Sequence, residues 1–186
     1  MTQTPQIRVL DGDEAMQHWW PRFMDLWQRT WPPNPDAAFD PDFENTMFVA
    51  LALLDEQGKL LGVCSWIDRT ITVDGAPQPI AGLAGVAVEE EYRGRGYGKL
   101  LLENAIAEVK RRGYRWGVLF CSPHRQTFYE QFGWRVLQGK ITQTRFRTEC
   151  GVLDDDLVMA LPLSEAAQAQ WPQWEHARLH VGVGQW

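Results

Sequence analysis

The feature that most constrains the fold is a glycine-rich segment between an apolar run and an amphipathic one. Residues 80–88, IAGLAGVAV, predict a buried strand, and residues 98–112 predict a helix. One face of that helix carries Leu101, Leu102, Ala105, Ile106 and Val109. A further apolar run at 116–120 follows. A strand, a helix and a strand in this order predict a right-handed crossover between parallel strands, with the glycine loop at the carboxyl end of the first.

The charge around this loop departs from that of the chain. Residues 92–115 hold seven basic and two acidic side chains, a net charge of +5 in a chain of net charge −6, which leaves −11 for the rest. Arg93, Arg95 and Lys99 fall at the start of the helix, where the helix dipole disfavours cations. Glycines allow close approach of a ligand, and free N–H groups of a first helical turn bind anions. We therefore expect a bound anion, the alternative being a turn that needs glycine for geometry alone.

Two common phosphate-binding motifs do not fit this loop. A P-loop requires GK followed by Ser or Thr, whereas Leu100 follows Gly98-Lys99. A dinucleotide-binding fingerprint requires GxGxxG after the first strand of the fold, whereas GxGxG occurs here after some 80 residues. Neither class of nucleotide-binding protein is indicated.

The flanking sequence predicts a sheet of the α/β (α+β) class, mixed and mostly antiparallel, with flanking helices. Apolar runs at 47–54, 60–73 and 80–88 predict an antiparallel meander, with a hairpin signal at Asp74-Gly75. Tryptophan and phenylalanine at helical spacing predict a helix over 16–27, kinked or restarted at Pro21. A short helix at 125–132 and strands at 134–137 and 157–161 complete the predicted order, with a long loop or hairpin between the last two.

Composition excludes several classes of protein. The longest apolar run has eight residues, too short to cross a membrane, and the first ten residues lack the pattern of a signal peptide. Three widely spaced cysteines without a CxxC disfavour a disulfide scaffold and a metal site, and fit a reducing, cytoplasmic setting. The acidic balance disfavours nucleic acid as a partner. We expect no metal, no membrane and no nucleic acid, and leave a homodimer open.

The segment VAVEEEYRGRGYGKLLL resembles the acyl-CoA-binding motif of the GNAT superfamily of N-acetyltransferases, Arg/Gln-x-x-Gly-x-Gly/Ala. Arg93, Gly96 and Gly98 fill its fixed positions. The resemblance extends over 47–163 and includes FYEQFGW on the later helix. It implies the GNAT fold, in which the strand ending at Val88 and the following parallel strand splay apart. It also implies acetyl-CoA as co-substrate and direct transfer to an amine, without an acyl-enzyme.

The resemblance also assigns roles to residues. The pyrophosphate and pantetheine of acetyl-CoA are expected at Val86, Ala87, Val88, Arg93, Gly94, Arg95, Gly96, Tyr97, Gly98 and Lys99. Tyr129 matches the tyrosine that protonates the coenzyme A sulfur, its alternative role being packing beside Phe128. For the general base we favour Glu89, with Asp68, the acidic run 154–156, His124, a backbone carbonyl or a water chain as alternatives. Cys64 and Cys121 are expected to pack rather than react.

A weaker resemblance, to the aminoglycoside 2′-N-acetyltransferases, points to the acceptor. Shared features are GVAV before the loop, acidic residues near 42–44 and 154–156, and a C-terminal tryptophan. Those enzymes carry a glutamate immediately before GVAV, where this chain has Ala84. We expect a small, cationic amine, which an acidic surface attracts. Its predicted contacts are Trp31, Asp42, Glu44, Asp68, Asp154, Asp155 and Trp186.

Tryptophan marks the ends of the chain. Seven of the ten tryptophans lie within residues 1–31 and 171–186. We therefore predict one acetyltransferase domain over residues 1–163 and a Trp-rich tail over 164–186, packed on or near the acceptor site. Two other functions stay open: a protein or peptide acetyltransferase, which needs an open groove, and a non-catalytic acyl-CoA-binding module, which needs no base.

Overall fold

The computed structural model describes residues 5–31, 47–145, 148–151 and 156–183. The strands are β1 (Gln6–Asp11), β2 (Met47–Leu54), β3 (Leu60–Val73), β4 (Ala76–Val88), β5 (Trp116–Cys121), β6 (Arg135–Val136), β7 (Ile141–Arg145), β8 (Thr148–Gly151), β9 (Leu157–Pro162) and β10 (Leu179–Val183). The α-helices are α1 (Gly12–Glu14), α2 (Trp20–Thr30), α3 (Tyr97–Arg111), α4 (Gln126–Glu130), α5 (Glu165–Ala169) and α6 (Trp171–Glu175). A π-helical stretch, Ala15–Trp19, joins α1 to α2, and Pro21 lies in the first turn of α2.

All ten strands belong to one sheet. Its path runs β6-β9-β5-β4-β3-β10-β7-β8, while β2 and then β1 extend it from β3. The first part of β3 pairs with β2 and its end pairs with β10, which explains why β3 is 14 residues long. The predicted meander β2-β3-β4 is confirmed. Asp74 and Gly75 have φ angles of 48° and 85° in the predicted hairpin turn.

The parallel pair β4 and β5 separates along its length, as predicted. Ala81 pairs with Gly117 and Gly82 with Val118, and these are the two pairings that join the strands within the described residues. Just beyond them β4 is bulged: Leu83 pairs with Trp66 and Gly85 with Ser65, so Ala84 is extra. The strands therefore open a gap toward their carboxyl ends.

Helices cover both faces of the sheet. Neighbouring strand residues point to opposite faces. Leu61 packs with the apolar side of α3, whereas Leu60 packs with Phe23 and Leu26 of α2. Trp66 and Trp134 stack on the α3 face, with ring centroids 6.1 Å apart. Their rings lie 3.4 and 3.1 Å from the position that a Cβ on Gly117 would occupy. They fill the closed end of the β4–β5 gap.

The segment after Leu163 is part of this architecture. We predicted a tail on the acceptor site from residue 164, but residues 164–183 form α5, α6 and β10, and β10 lies inside the sheet between β3 and β7. Trp174 of α6 stacks on Trp116 with centroids 3.8 Å apart, and Trp171 joins the same buried cluster. Burial of these large rings holds the segment to the sheet. Trp186 lies outside the described residues.

Ion pairs hold the C-terminal end of α3 in place. The Glu108 carboxylate accepts hydrogen bonds from Arg111, at 2.6 and 2.8 Å, and from Arg112, at 2.7 Å. Arg112 also donates to Asp11 at 2.8 Å, at the end of β1. These bonds, from Arg111 above all, lower the pKa of Glu108 to about 2.

This pairing predicts a pH-dependent stability. A carboxylate whose pKa is depressed in the folded state stabilises it above the unfolded pKa of 4.5, and the stabilisation is lost as the pH falls toward 2. Glu108→Gln should therefore unfold at lower urea than the parent at pH 7, and the difference should shrink between pH 4.5 and 2. Glu103→Gln, which removes an exposed pair with Lys99 at 3.8 Å, is the control. A difference that does not change with pH would contradict the assignment.

Candidate active site

The glycine loop forms a cradle at the open end of the gap. Gly94 and Gly96 have φ angles of 75° and 79°, and Gly96 is the N-cap of α3. The first hydrogen bond of the helix runs from the Leu100 amide to the Gly96 carbonyl at 3.0 Å, and no side chain of the described residues caps this end. The amides of the first turn, at Tyr97, Gly98 and Lys99, are therefore available to an anion.

The cations of the loop have definite partners. Arg93 Nε donates to the Val88 carbonyl at 3.0 Å, which joins the end of β4 to the loop. Arg95 lies 5.1 Å from the Tyr92 ring centroid and donates to the Glu91 carbonyl at 3.3 Å. The Tyr92 and Tyr97 rings stack with centroids 6.5 Å apart. The loop is thus held in shape by its own side chains while its amides stay exposed.

The end of β4 offers one edge of its backbone to the gap. Val86, Ala87 and Val88 pair with Cys64, Val63 and Gly62 of β3. The described pairing of β4 with β5 ends at Gly82. The edge of residues 86–88 that faces away from β3 therefore faces the gap. Unpaired backbone groups at a strand edge bind an extended chain that carries amides.

Tyr129 lies on the α3 side of the gap. Its ring packs edge-on against Phe128 and Trp134, with centroids 5.1 and 6.2 Å away. Burial raises the pKa of its phenol, and the nearby Cys64 and Cys121 thiols add to the effect. The phenol is thus a proton donor at neutral pH.

Cys64 and Cys121 are buried free thiols in the same region. Burial raises the pKa of Cys64, and burial raises the pKa of Cys121 to about 11. A thiol must lose its proton to act as a nucleophile, so both are unreactive at neutral pH.

A cleft of about 410 Å³ lies on the α2 side, at the end of β4. It is lined by Leu26, Arg29, Thr30, Glu89, Glu90, Glu91 and Arg93. Glu89 accepts from Arg29 at 2.6 Å, and Glu91 pairs with Lys59 at 2.6 Å. Glu89, the favoured candidate for the base, therefore lines a cleft next to the gap and already contacts a cation.

Trp31 lies beside the same strand. It is 49% exposed, and its ring comes within 3.4 Å of the position that a Cβ on Gly85 would occupy. Trp27 Nε1 lies at the same distance from that position. Gly85 has a φ angle of 147°, which favours glycine, so the bulge and the two indole rings form one unit.

Sequence reasoning missed Arg29, Trp27 and Gly85 as site residues. Trp27 and Trp31 are four residues apart, the spacing of one helix face, and glycines within a strand, such as Gly82 and Gly85, indicate a bulge. Those signals identified the elements separately, whereas the contact between them depends on how α2 docks on the sheet.

Some predicted site residues do not join this group. Asp68 pairs with Ala81, at the closed end of the gap, and is bonded to Tyr114, whose pKa burial and this carboxylate raise to about 12. Asp68 is thereby removed from the cleft around Glu89. Asp42, Glu44, Asp154, Asp155 and Trp186 lie outside the described residues, and His124 is exposed in the turn before α4.

In the described ranges, no three His, Cys, Asp or Glu side chains are grouped so as to hold a metal ion. No helix there is both long and apolar enough to cross a membrane.

A sheet that opens between two parallel strands, with an uncapped glycine loop at the opening, defines the class of GNAT-fold acyltransferases. The family model for the acetyltransferase (GNAT) domain matches residues 13–137, more than half of the chain. The chain belongs to this family, whose co-substrate is acetyl-CoA.

Individual relatives agree with this membership. YhbS of Escherichia coli strain K12, named as an uncharacterized N-acetyltransferase, is 26% identical over 113 residues, which span 60% of this chain and 65% of YhbS. The crystal structure of E. coli YhbS with CoA has a TM-score of 0.65 at 17% identity, covering 97% of this chain and 91% of that one. An acyl-CoA N-acyltransferase of Pseudomonas aeruginosa has a TM-score of 0.63 at 14% identity, covering 85% and 99%. At these identities the structures show a shared fold.

Proposed function

We propose that this chain is an acetyl-CoA-dependent N-acetyltransferase that acts on a primary amine of a small, cationic acceptor. The observation that carries the proposal is the β4–β5 gap, with the glycine cradle at its mouth, the Tyr129 phenol on one side and the Glu89 carboxylate on the other. The two sides supply the proton donor and the proton acceptor that transfer from a thioester to an amine requires.

The residues of the cradle fit acetyl-CoA. The exposed amides at Tyr97, Gly98 and Lys99, aided by the charges of Arg95 and Lys99, would hold its pyrophosphate. The free edge of β4 at 86–88 would pair with the amides of its pantetheine arm. When bound, acetyl-CoA supplies an acetyl group activated as a thioester.

Glu89 and Tyr129 then accept and donate the protons that the transfer requires. The attacking amine is neutral. A carbon–nitrogen bond forms and the carbon–sulfur bond breaks, while the attacking nitrogen gives up one proton to Glu89, directly or through water. Tyr129 donates a proton to the departing sulfur, and its raised pKa keeps that proton in place at neutral pH.

The acceptor side supports a cation. Glu89, Glu90 and Glu91 line the cleft at the end of β4, and the half-exposed Trp31 ring lies beside Gly85 of that strand. The chain outside residues 92–115 carries a net charge of −11. Carboxylates and an indole face both attract ammonium groups. At Ala84, where aminoglycoside enzymes carry an acid, the side chain packs with the α2 cluster.

A protein acceptor is the second candidate. The ribosomal-protein-S18-alanine N-acetyltransferase of E. coli shares the fold, with a TM-score of 0.54 at 22% identity over 87% of this chain and 95% of that one. Peptides therefore belong in the test panel.

The test is a thiol-release assay with acetyl-CoA against polyamines, aminoglycosides, amino acids and peptides. We expect turnover with small cationic amines, above the rate of thioester hydrolysis without acceptor. Turnover with peptides alone would replace the small-molecule acceptor with a protein. Tight coenzyme A binding without turnover on any amine would favour a non-catalytic module and overturn the proposal.

The Trp31 ring predicts a specific loss on mutation. Trp31→Ala should raise the KM for the cationic acceptor about two- to fivefold, because an exposed cation–π contact contributes about 0.5–1 kcal/mol. Trp31→Phe should keep most of the affinity, since an aromatic face remains. Steady-state kinetics at saturating acetyl-CoA measure both, and an unchanged KM in Trp31→Ala would exclude the ring from acceptor binding.

A further inference from the structure

We propose that Arg29 is a specificity-determining residue that competes with the cationic acceptor for Glu89, so that the ammonium group of the acceptor replaces the Arg29 guanidinium at this carboxylate. The inference rests on the proposed function and extends it to the step in which the acceptor binds. It assigns to α2 a role in acceptor choice that neither the family motif nor the glycine loop contains.

Glu89 is a fixed carboxylate at the cleft. Its backbone amide donates to the Leu61 carbonyl at 2.9 Å, so the residue is anchored to β3 immediately after β4 ends. Its side chain is 22% exposed, whereas that of its partner Arg29 is 52% exposed. The backbone that carries the carboxylate therefore stays in place whichever cation it binds, and part of the side chain remains accessible from the cleft.

Arg29 can release Glu89 and still keep a second ionic partner, Asp25. Its Nη2 lies 2.6 Å from Glu89 Oε1, and its Nη1 lies 3.0 Å from Asp25 Oδ2, one helical turn earlier on α2. The side chains of Arg29 and Asp25 are 52% and 67% exposed. If Arg29 releases Glu89, it keeps Asp25 and water, so the exchange strands no buried charge.

The position of Trp31 indicates which kind of group replaces Arg29 at Glu89. Trp31 follows Arg29 by two residues, at the end of α2, and its ring lies against the Gly85 bulge of the same strand that leads to Glu89. A polycation that extends from this ring to the Glu89 carboxylate, four residues further along the chain than Gly85, would contact an aromatic face and a full negative charge. Arg29 already binds the Glu89 carboxylate. An acceptor must therefore bind Glu89 more strongly than Arg29 does in order to replace it.

Spermidine is a suitable probe because it is a small polycation, and calorimetry on the coenzyme A-saturated protein reads its binding without turnover. Arg29→Met should lower the Kd of spermidine about two- to fivefold, the range that corresponds to an exposed ion pair. Arg22→Met is the matched control, since it removes one positive charge from the same helix at a side chain that packs over Trp19. It should leave the Kd within the error of the measurement.

Asp25 provides a test that a merely structural role would not pass. Asp25→Asn removes the alternative partner of Arg29 and should raise the Kd of spermidine in the parent, but not in the Arg29→Met background. A Kd that is unchanged or raised in Arg29→Met, an equal fall in Arg22→Met, or no measurable binding in any variant overturns the proposal. Failure to turn over any amine would refute the proposed function alone, because calorimetry measures the binding of spermidine independently of catalysis.

Discussion

A Tyr129→Phe enzyme is expected to turn over at least about 100-fold more slowly than the parent, with the KM for acetyl-CoA within twofold. General acid catalysis contributes about 10²–10⁴ in rate, and the substitution removes the proton donor while the ring keeps its contacts with Phe128 and Trp134. The measurement is kcat by thiol release at neutral pH with the best amine of the panel.

Tyr114→Phe is the matched control. Tyr114 belongs to the same packing cluster, but its hydroxyl is bonded to Asp68 at the closed end of the gap. It should lose no more than about twofold in kcat, as expected for a hydroxyl remote from the reacting atoms. Comparable loss in both variants would show that the effect comes from packing rather than proton donation.

Tyr129 also sets the pH dependence of kcat. An acid must be protonated to act, and because burial raises the pKa of Tyr129, the parent should keep its kcat through pH 10, the ordinary value for tyrosine. The alkaline loss of rate should begin only above it. A fall centred at pH 10 or lower would exclude Tyr129 as the proton donor.

The second large effect is expected at the cradle. Gly96→Val should raise the KM for acetyl-CoA about 5- to 30-fold. Gly96 has a φ angle of 79° at the N-cap of α3, and a side chain in this region costs about 1–2 kcal/mol. The strain is relieved by turning the backbone, which redirects the amides of Tyr97 and Gly98. Isothermal titration with coenzyme A would measure the same loss as affinity.

Two variants separate cradle geometry from general destabilisation. Gly58 has a φ angle of 78° in the turn between β2 and β3, and at both glycines an added Cβ meets no atom within 4 Å. Gly58→Val should therefore destabilise the fold equally while leaving the acetyl-CoA KM unchanged. Gly96→Asn should recover part of the affinity, since Asn tolerates this region. Equal KM values in Gly96→Val and the parent would refute the role of the loop amides.

The local elements of the fold were predictable from sequence because each depends on neighbouring residues. The apolar run at 80–88, the loop at 93–98 and the amphipathic helix after it predicted the crossover and its glycine cradle. The hairpin at Asp74-Gly75 and the restart of the helix at Pro21 follow from backbone preferences of single residues. The splayed strands and the family followed from the motif.

The C-terminal segment was not predictable in the same way. Leu179 and Val181 alternate with His180 over a stretch too short to show which strand it would join. Its place between β3 and β7 is set by the burial of Trp171 and Trp174 around Trp116, some 55 residues earlier in the chain. The position of Asp68 was not predictable for a related reason: its strand was correctly identified, but the place along β3 decides which end of the gap the residue reaches.

The sequence by itself determined the family, and it predicted the glycine cradle and Tyr129 as the candidate proton donor, because these depend on contiguous motifs and on side-chain chemistry. Only the tertiary structure decided the contacts of the proposed acceptor side, where Arg29 meets Glu89 from 60 residues away and the Trp31 ring lies beside the Gly85 bulge. Such contacts arise from the docking of α2 on the sheet. That docking is a sum of many apolar contacts, which no short motif encodes.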